Sequence, residues 1–244
     1  APPSLKVGLG DMKKREVITI VVAVLVVGLV FVGLKLSGGG NHKSASENPT
    51  LPSEEVKPEE SGAETKPTGV VSGSPHLKYE IKGNSVTITG CDKEASGALK
   101  IPATIEGKTV TSIGDKAFAF CASLTSITIP DGVTSIGEYA FDRCSGLTSI
   151  TIPDSVTSIG ARAFHLCTSL TSVTIPDGVI SIGDNTFLKC KSLTSITIPD
   201  SVTSIGTQAF CQCYGLTSIT IGNGVTSIEV GAFLDCTSLT SITI

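Results

Sequence analysis

Cysteine occupies one position of a phrase that the second half of the chain repeats every 23 residues. Such a row of thiols could hold metal ions, carry redox chemistry or form disulfides. A metal site needs thiolates that converge on one point, whereas side chains one repeat apart run parallel. We therefore predict a structural row of small buried hydrophobic groups. Its members are Cys121, Cys144, Cys167, Cys190, Cys213 and Cys236.

Two cysteines lie outside this row. Cys91 precedes the repeats, and Cys211 occupies a position that holds Ala, Asp, His or Leu in the other units. Because that position varies, we predict that Cys211 is more exposed than the thiols of the row. Reactivity follows exposure and thiolate character, so Cys211 is the predicted reactive thiol.

An aspartate follows proline in four successive repeats, at positions 131, 154, 177 and 200. Calcium takes six to eight oxygen ligands, and one carboxylate per repeat supplies few of them. Asp after Pro has an ordinary role in turns, where its side chain bonds to nearby backbone. We predict turns at these positions, and neither a metal ion nor a cofactor.

Paired hydroxyl residues alternate with isoleucine or valine and are predicted to point outward. A regular hydroxyl surface could bind protein or glycan partners, which we favour, because solenoids present extended binding surfaces. Ice binding through the same array is a minor alternative, and β-propensity alone also explains Thr on an exposed strand. The pairs begin with Ser126 and Thr128, Ser149 and Thr151, Ser172 and Thr174, and Ser195 and Thr197.

Residues between the repeated Gly and Cys differ from unit to unit, so they are candidates for partner specificity. The predicted partner-binding residues of this kind are Arg143, Arg162, His165 and Lys189, together with Tyr214, which directly follows the repeated Cys. No nucleophile, base and orienting group recur at a spacing suited to catalysis. We therefore predict that the protein is not an enzyme.

The elements that carry these residues follow from the unit TSIGxxAFxxCxxLTSITIPDxV, which occurs six times from Thr111 onward. Alternation in "LTSITI" predicts a strand with Ile inward, and "VTSIG" predicts a second short strand. "AFxxCxxL" predicts a short helix or tight turn, and the repeated Gly a left-handed turn or a close approach of neighbouring coils. Stacked units bury a continuous core, so residues 111–244 form one mainly-β repeat solenoid.

These motifs closely resemble the BspA-type leucine-rich repeats of microbial surface proteins. Residues 77–110, which include "YEIKGNSVTITGCDKEASGALKIPATIEGK", resemble the N-terminal β cap that precedes such arrays. The resemblance implies a right-handed leucine-rich-repeat-like stack, displayed at a cell surface and often used in adhesion to host proteins or other cells.

The N-terminal part contains an apolar run, residues 17–36, whose length suits a single transmembrane helix of about 20 residues. Basic residues at 13–15 place residues 1–16 in the cytoplasm by the positive-inside rule. We favour an uncleaved signal anchor over a cleavable signal peptide, because the run is long for the latter. Residues 37–76 are rich in Gly, Ser, Pro and Glu, which predicts a disordered stalk.

The net charge of the chain and of its repeats limits the classes of partner. The net charge is −4, and the repeats from Thr111 contain five Lys and Arg against ten Asp and Glu, which disfavours nucleic-acid binding. We predict a membrane-anchored, extracellular binding protein with an adhesin-like role toward proteins or glycans. The alternative is a subunit of an extracellular fibre, joined through open solenoid ends such as the uncapped C-terminal strand or through the apolar helix.

Overall fold

The structure, a computed structural model, describes residues 7–8, 68–71 and 74–244, with side chains from residue 77 onward. These ranges contain seventeen β-strands and no helix. None of the described residues therefore lies in a helix long and apolar enough to cross a membrane. The transmembrane helix predicted at residues 17–36 lies outside the described ranges.

The first side of the solenoid is built from the "TSI" segments, which pair in parallel with equivalent residues one repeat apart. Ser112 lies opposite Ser135, and Ile113 lies opposite Ile136. Isoleucine points inward and is buried in the first five units. The strands are β7 (Lys108–Ile113), β9 (Ser135–Ile136), β11 (Ser158–Ile159), β12 (Ser181–Ile182), β14 (Ser204–Ile205) and β16 (Ser227–Ile228).

The second side is built from the "LTSITI" segments, again parallel and in register. Ser126, Ile127 and Thr128 lie opposite Ser149, Ile150 and Thr151, which confirms inward Ile between outward hydroxyls. A bridge between Ser149 and Ser172 continues this side into the third unit. The strands are β5 (Gly97–Lys100), β8 (Leu124–Thr128), β10 (Ser149–Thr151), β13 (Ser195–Ile198), β15 (Ser218–Ile221) and β17 (Ser241–Thr243).

The third side consists of turns between the Gly and the Leu of each unit, so the helix allowed by the sequence does not form. Tyr139 and Arg143 have left-handed φ angles of 53° and 57°, and the two equivalent positions are left-handed in every unit. These left-handed residues interrupt the run of right-handed φ angles that an α-helix needs, so no helix forms in this segment. Instead, Tyr139 N–H and Phe141 N–H donate to the carbonyls of Ala161 and Ala163 at 3.1 and 2.8 Å.

Phenylalanine forms the centre of the core. The rings of Phe118, Phe141, Phe164, Phe187, Phe210 and Phe233 lie 5.2–5.4 Å apart, with interplanar angles of 4–11°. The first five rings are fully buried. Around them pack the Ala, Cys, Leu, Ile and Val positions that the repeat pattern predicted to point inward.

The repeated glycine is explained by close approach of neighbouring coils, and its left-handed alternative is wrong. A Cβ at Gly137 would lie 2.6 Å from the backbone nitrogen of Asp115, and one at Gly160 would lie 2.6 Å from that of Glu138. Among these repeated glycines, from Gly114 to Gly206, none has a left-handed φ. The sixth unit has Glu229 at the same position.

Two glycines of this column provide a matched test. At Gly183 the nearest atom to an added Cβ is the Ala161 Cα at 3.3 Å, against 2.6 Å at Gly160. We expect Gly160→Ala to lower the free energy of unfolding by about 1–3 kcal/mol through overpacking. Gly183→Ala should change it by less than about 1 kcal/mol, since reduced freedom of the unfolded chain offsets the mild contact. Urea unfolding followed by circular dichroism measures both, and equal losses would contradict the close-approach explanation.

The N-terminal cap continues the two sheets with strands that are not repeats. β4 (Ser85–Cys91) pairs in parallel with β7, and β3 (Ser74–Lys82) pairs antiparallel with β4. β6 (Thr104–Ile105) pairs with β7, and β2 (Thr68–Val71) pairs with β3. β2 and the first residues of β3 lie in the segment predicted as a stalk.

One further strand, β1 (Val7–Gly8), pairs antiparallel with β16. This pairing requires residues 7–8 to lie on the same side of a membrane as the solenoid. It is therefore incompatible with the prediction that residues 1–16 are cytoplasmic and the solenoid extracellular. The topology of the N-terminal segment therefore stays a prediction.

Candidate functional site

The predicted hydroxyl pairs lie together on the second side of the solenoid, which we call the Ser/Thr face. The residues of the predicted pairs are exposed except Ser126, which is half-buried. In-register pairing places each Ser and each Thr beside its equivalent in the neighbouring strand. The hydroxyls of Thr128, Thr151, Thr174 and Thr197 form no hydrogen bond within the described chain, so they are available to a partner. The structure thus brings the hydroxyl residues predicted from the sequence onto one surface.

A second threonine column has a role that sequence reasoning missed. The hydroxyl of Thr148 donates to the backbone carbonyl of Thr125 at 2.9 Å, and that of Thr217 donates to Thr194 at 3.0 Å. The first Thr of "TSIG" does the same, as between Thr226 and Thr203 at 3.1 Å. These hydroxyls stabilise the stacking and are not free for a partner. The signal was present in the sequence, because both columns are almost invariably Thr.

The turns of the third side, which we call the turn face, carry every basic residue of the repeat array from Thr111 onward. These five residues are Lys116, Arg143, Arg162, Lys189 and Lys191. The acidic residues are divided, since Asp131, Asp154, Asp177 and Asp200 lie at the opposite corner, after the prolines. The other acidic residues of the turns balance the basic ones in number, so the turn face offers an acidic partner individual cations and no net positive charge; these acidic residues are Asp115, Glu138, Asp142, Asp184 and Asp235.

Two aromatic rings hold three of these cations in place. The Arg162 Cζ and the Lys116 Nζ lie 5.3 and 5.6 Å from the centroid of the Tyr139 ring. Arg162 also donates a hydrogen bond to the Tyr139 hydroxyl. The Arg143 Cζ lies 5.3 Å from the centroid of Phe120, a ring that is 56% exposed. We call Lys116, Phe120, Tyr139, Arg143 and Arg162 the basic–aromatic patch.

The other predicted specificity residues have different surroundings. His165 Nδ1 lies 2.8 Å from a carboxylate oxygen of Asp142, whose other oxygen lies 3.8 Å from Arg143 Nε. This carboxylate therefore orients both side chains at the border of the patch. Lys189 is half-buried with a left-handed φ of 64°, and Tyr214 is 39% exposed. Both lie on the turn face, in the fourth and fifth units.

The cysteine row is structural, as predicted. All six thiols are buried. From Cys144 onward each thiol donates to the carbonyl of the Phe 26 residues earlier, at 3.0–3.2 Å. Burial raises the pKa of Cys144 to about 12, and the pKa values of Cys167 and Cys190 also rise well above the ordinary value.

The prediction of an exposed, reactive Cys211 is wrong. Its side chain is buried with 4% of its surface exposed. Desolvation and the nearby Asp235 raise the pKa of its thiol to about 11, so little thiolate exists at neutral pH. Its position points inward because the turn keeps that side chain against the core; Asp142 at the equivalent place is buried too.

The raised pKa values predict that stability falls at high pH. Below pH 9.0, the ordinary thiol value, Cys144 is protonated in both states and its contribution is complete. Above it the unfolded chain releases the proton first, and the contribution is lost as the pH approaches about 12. Each such thiol lowers the free energy of unfolding by up to about 1.4 kcal/mol per pH unit.

Urea unfolding between pH 8 and pH 11, in a reducing agent, measures this slope. Since lysines and tyrosines titrate in the same range, the informative quantity is the difference between native protein and the Cys144→Ala variant. The variant should lose less stability per pH unit. Equal slopes would show that Cys144 does not couple folding to pH.

The four aspartates of the column lie in turns, as predicted, and are exposed. The Asp200 carboxylate accepts a hydrogen bond from Asn223 N–H at 2.7 Å, which joins neighbouring coils and does not close its own turn. Among residues with described side chains, no three His, Cys, Asp or Glu residues come together in a way that could hold a metal ion.

The repeats match a known family, described as the BspA type leucine rich repeat region. Six copies of its repeat match, over residues 99–176 and 157–244. No curated protein sequence matches the chain.

Solved bacterial structures share the fold. A leucine-rich repeat protein of T. pallidum is 31% identical with a TM-score of 0.65, over 71% of this chain and 81% of that one. A leucine-rich cell surface protein of Faecalibacterium prausnitzii is 35% identical with a TM-score of 0.55, over 74% and 55%. A leucine-rich repeat protein of Bacteroides ovatus is 29% identical with a TM-score of 0.54, over 69% and 52%. The chain thus spans about half the length of the last two.

Proposed function

Because the chain belongs to the BspA-type leucine-rich repeat family, we propose that it is an adhesin-like, cell-surface binding protein for protein or glycan partners. Proteins of this repeat class are typically binding proteins without enzymatic activity, and one similar structure is of a cell surface protein. The solenoid supports such a role because it presents two long, regular outer faces. One of them, the turn face, combines variable residues with all the basic residues of the repeat array.

The basic–aromatic patch is the observation that carries the proposal. Its guanidinium groups lie against Tyr139 and Phe120, which limits their rotamer freedom before any partner arrives. Arginine presents donors in a planar fork that suits carboxylates, and cation–π contact is strongest when partly desolvated. We assign this patch to anionic groups, such as the carboxylates of an acidic protein segment or an acidic glycan.

The Ser/Thr face is the second surface of the proposed function. Its unpaired Thr hydroxyls repeat at strand spacing, so it can hydrogen-bond an extended partner along several repeats. Ice binding and fibre assembly stay predictions. The cations held against aromatic rings on the turn face favour partner binding over both.

In the proposed topology, which excludes the pairing of β1 with β16, residues 17–36 anchor the protein in a membrane. Residues 37–76, apart from the strand residues 68–71 and 74–76, hold the solenoid away from it. The apolar run and the Gly, Ser, Pro and Glu content support this arrangement.

Binding to defined acidic probes tests the patch. With the full chain immobilised in detergent, biolayer interferometry would measure poly-L-glutamate, polysialic acid and neutral dextran. We expect both acidic probes to bind better than dextran, and to weaken as salt is raised. Arg143→Glu or Arg162→Glu should each weaken acidic binding by roughly tenfold, the equivalent of about 1.4 kcal/mol.

Lys100→Glu is the matched control, since it makes the same charge change on an exposed residue of the Ser/Thr face. It should leave acidic binding within about twofold of native, because screening limits its reach to the turn face. If dextran binds as well as the acidic probes, or if all three substitutions weaken binding equally, the patch is not the binding site. A preference between the two acidic probes distinguishes a protein partner from a glycan.

A further inference from the structure

The junction between the cap and the first repeat contains the one cysteine that the repeat pattern does not explain. Cys91 ends β4, and a five-residue loop, residues 92–96, then leads to β5. This loop lies across the first turn of the array. Lys93 donates to the Ala119 carbonyl, Cys121 Sγ lies 3.8 Å from the Asp92 carbonyl oxygen, and Gly97 N–H donates to the Ser123 carbonyl at 3.0 Å.

Cys121 differs from the later members of its row. Each later thiol donates to a Phe carbonyl of the preceding coil at 3.0–3.2 Å. The cap has no equivalent Phe, so Cys121 has only the longer contact to Asp92. Cys91 is close enough to Cys121 for each thiol to perturb the pKa of the other, raising that of Cys91 and lowering that of Cys121. Both side chains are buried, Cys91 with 5% of its surface exposed and Cys121 with none.

The contact between these two thiols is of a different kind from those within the row. Successive row members accept and donate to backbone, and no thiol–thiol hydrogen bond joins them among the described cysteines. Cys91 instead lies at the end of β4, 30 residues before Cys121, so the two are not equivalent positions one repeat apart. Their side chains therefore need not run parallel, which is the geometric obstacle to a disulfide between neighbouring rungs.

We propose that Cys91 and Cys121 form a disulfide that joins the cap to the first repeat under oxidising conditions. The electrostatic surroundings suit the reaction. Lys93 supplies a positive charge beside the pair, and hydrogen bonding from Cys91, together with Lys93, lowers the pKa of the Cys121 thiol. Thiolate is the attacking form in disulfide exchange.

The oxidant is a small disulfide such as oxidised glutathione. The Cys121 thiolate attacks one of its sulfurs, which forms a mixed disulfide and releases one glutathione thiolate. Cys91 loses its proton and attacks the Cys121 sulfur, which releases the second. Two protein thiols and one glutathione disulfide thus become one protein disulfide and two glutathione thiols. Because both cysteines are buried, exchange proceeds during folding or when the exposed 92–96 loop opens.

The product closes a loop between residues 91 and 121 and ties the cap to the array covalently. Such a crosslink restricts the unfolded chain and should raise the unfolding midpoint by roughly 5–10 °C relative to the reduced protein. The array would then be protected at the end where its periodic contacts begin.

Tryptic peptide mapping tests the link directly. Cleavage after Lys82, Lys93, Lys116 and Arg143 places Cys91 and Cys121 in separate peptides, residues 83–93 and 117–143, with one cysteine each. The full chain, refolded in detergent with a glutathione redox buffer, is alkylated, digested without reduction and analysed by mass spectrometry. We expect the two peptides to be joined and two hydrogens lighter than their sum.

Two variants and a thermal scan complete the design. Cys91→Ser should abolish the joined peptide and the difference in unfolding midpoint between oxidised and reduced protein. Cys167→Ser, in the middle of the row, should retain both. The inference is overturned if all eight cysteines are alkylated after oxidation and denaturation, or if Cys121 is joined to Cys144 instead. Because no partner is involved, these outcomes do not depend on the proposed binding function.

Discussion

Stacking in register at a fixed 23-residue interval is the constraint on which the rest of the structure depends. Backbone hydrogen bonds join neighbouring coils on all three sides. On the two sheet sides the donors face the preceding coil, as from Gly137 N–H to the Ile113 carbonyl at 2.8 Å and from Thr148 N–H to the Thr125 carbonyl at 2.9 Å, whereas on the turn side Phe141 N–H donates to the Ala163 carbonyl of the following coil at 2.8 Å. An inserted or deleted residue would shift every inward side chain out of its column. Side-chain packing has the same regularity, since the rings of Phe118 and Phe141, one repeat apart, stack with centroids 5.2 Å apart.

This constraint determines where function can reside. Inward positions are committed to Phe, Ile, Leu, Val and Cys columns, and one Thr in each sheet strand is committed to a backbone carbonyl. The outer sheet positions are limited to small residues that suit a strand. Only the turn face accepts varied side chains, because its outward positions neither fill the core nor pair across a sheet. The clustering of all the basic residues there follows from that freedom.

Much of the fold could be predicted from the sequence because period-two alternation directly reports which side chains face the core. The inward column of Ile127 follows from it, as does the hydroxyl surface, and the 23-residue repetition of apolar residues predicted the inward columns of Phe141 and Cys144. The turn conformation could not, since left-handed φ angles fall on Tyr139, Arg143 and Lys189, residues with no preference for that region. Tertiary hydrogen bonds impose this geometry. The burial of Cys211 could not be predicted either, because the turn geometry directs its side chain to the core although the residue type at this position varies between units.

The candidate site was predictable only in part. Variation within the chain located Arg143 and Arg162, but their stacking on Phe120 and Tyr139 joins residues 23 positions apart, which no local pattern reports. Lys116, Phe120 and Tyr139 therefore entered the site only through the structure. The 23-residue interval does predict these pairs, because any two residues one repeat apart are neighbours in space, whether their positions are variable or invariant.

A periodic array specifies its interior but not its boundary, so the cap must imitate a coil that is missing. β4 does this for the backbone: Gly114 N–H donates to Ile88 at 2.8 Å, as Gly137 donates to Ile113, and the Thr111 hydroxyl lies 3.5 Å from the Val86 carbonyl. The cap does not resemble a repeat on the turn side, where the five loop residues 92–96 replace the segment that carries Phe and Cys in each repeat. There the contacts are not periodic: Lys93 donates to the Ala119 carbonyl, and Cys121 Sγ lies 3.8 Å from the Asp92 carbonyl oxygen.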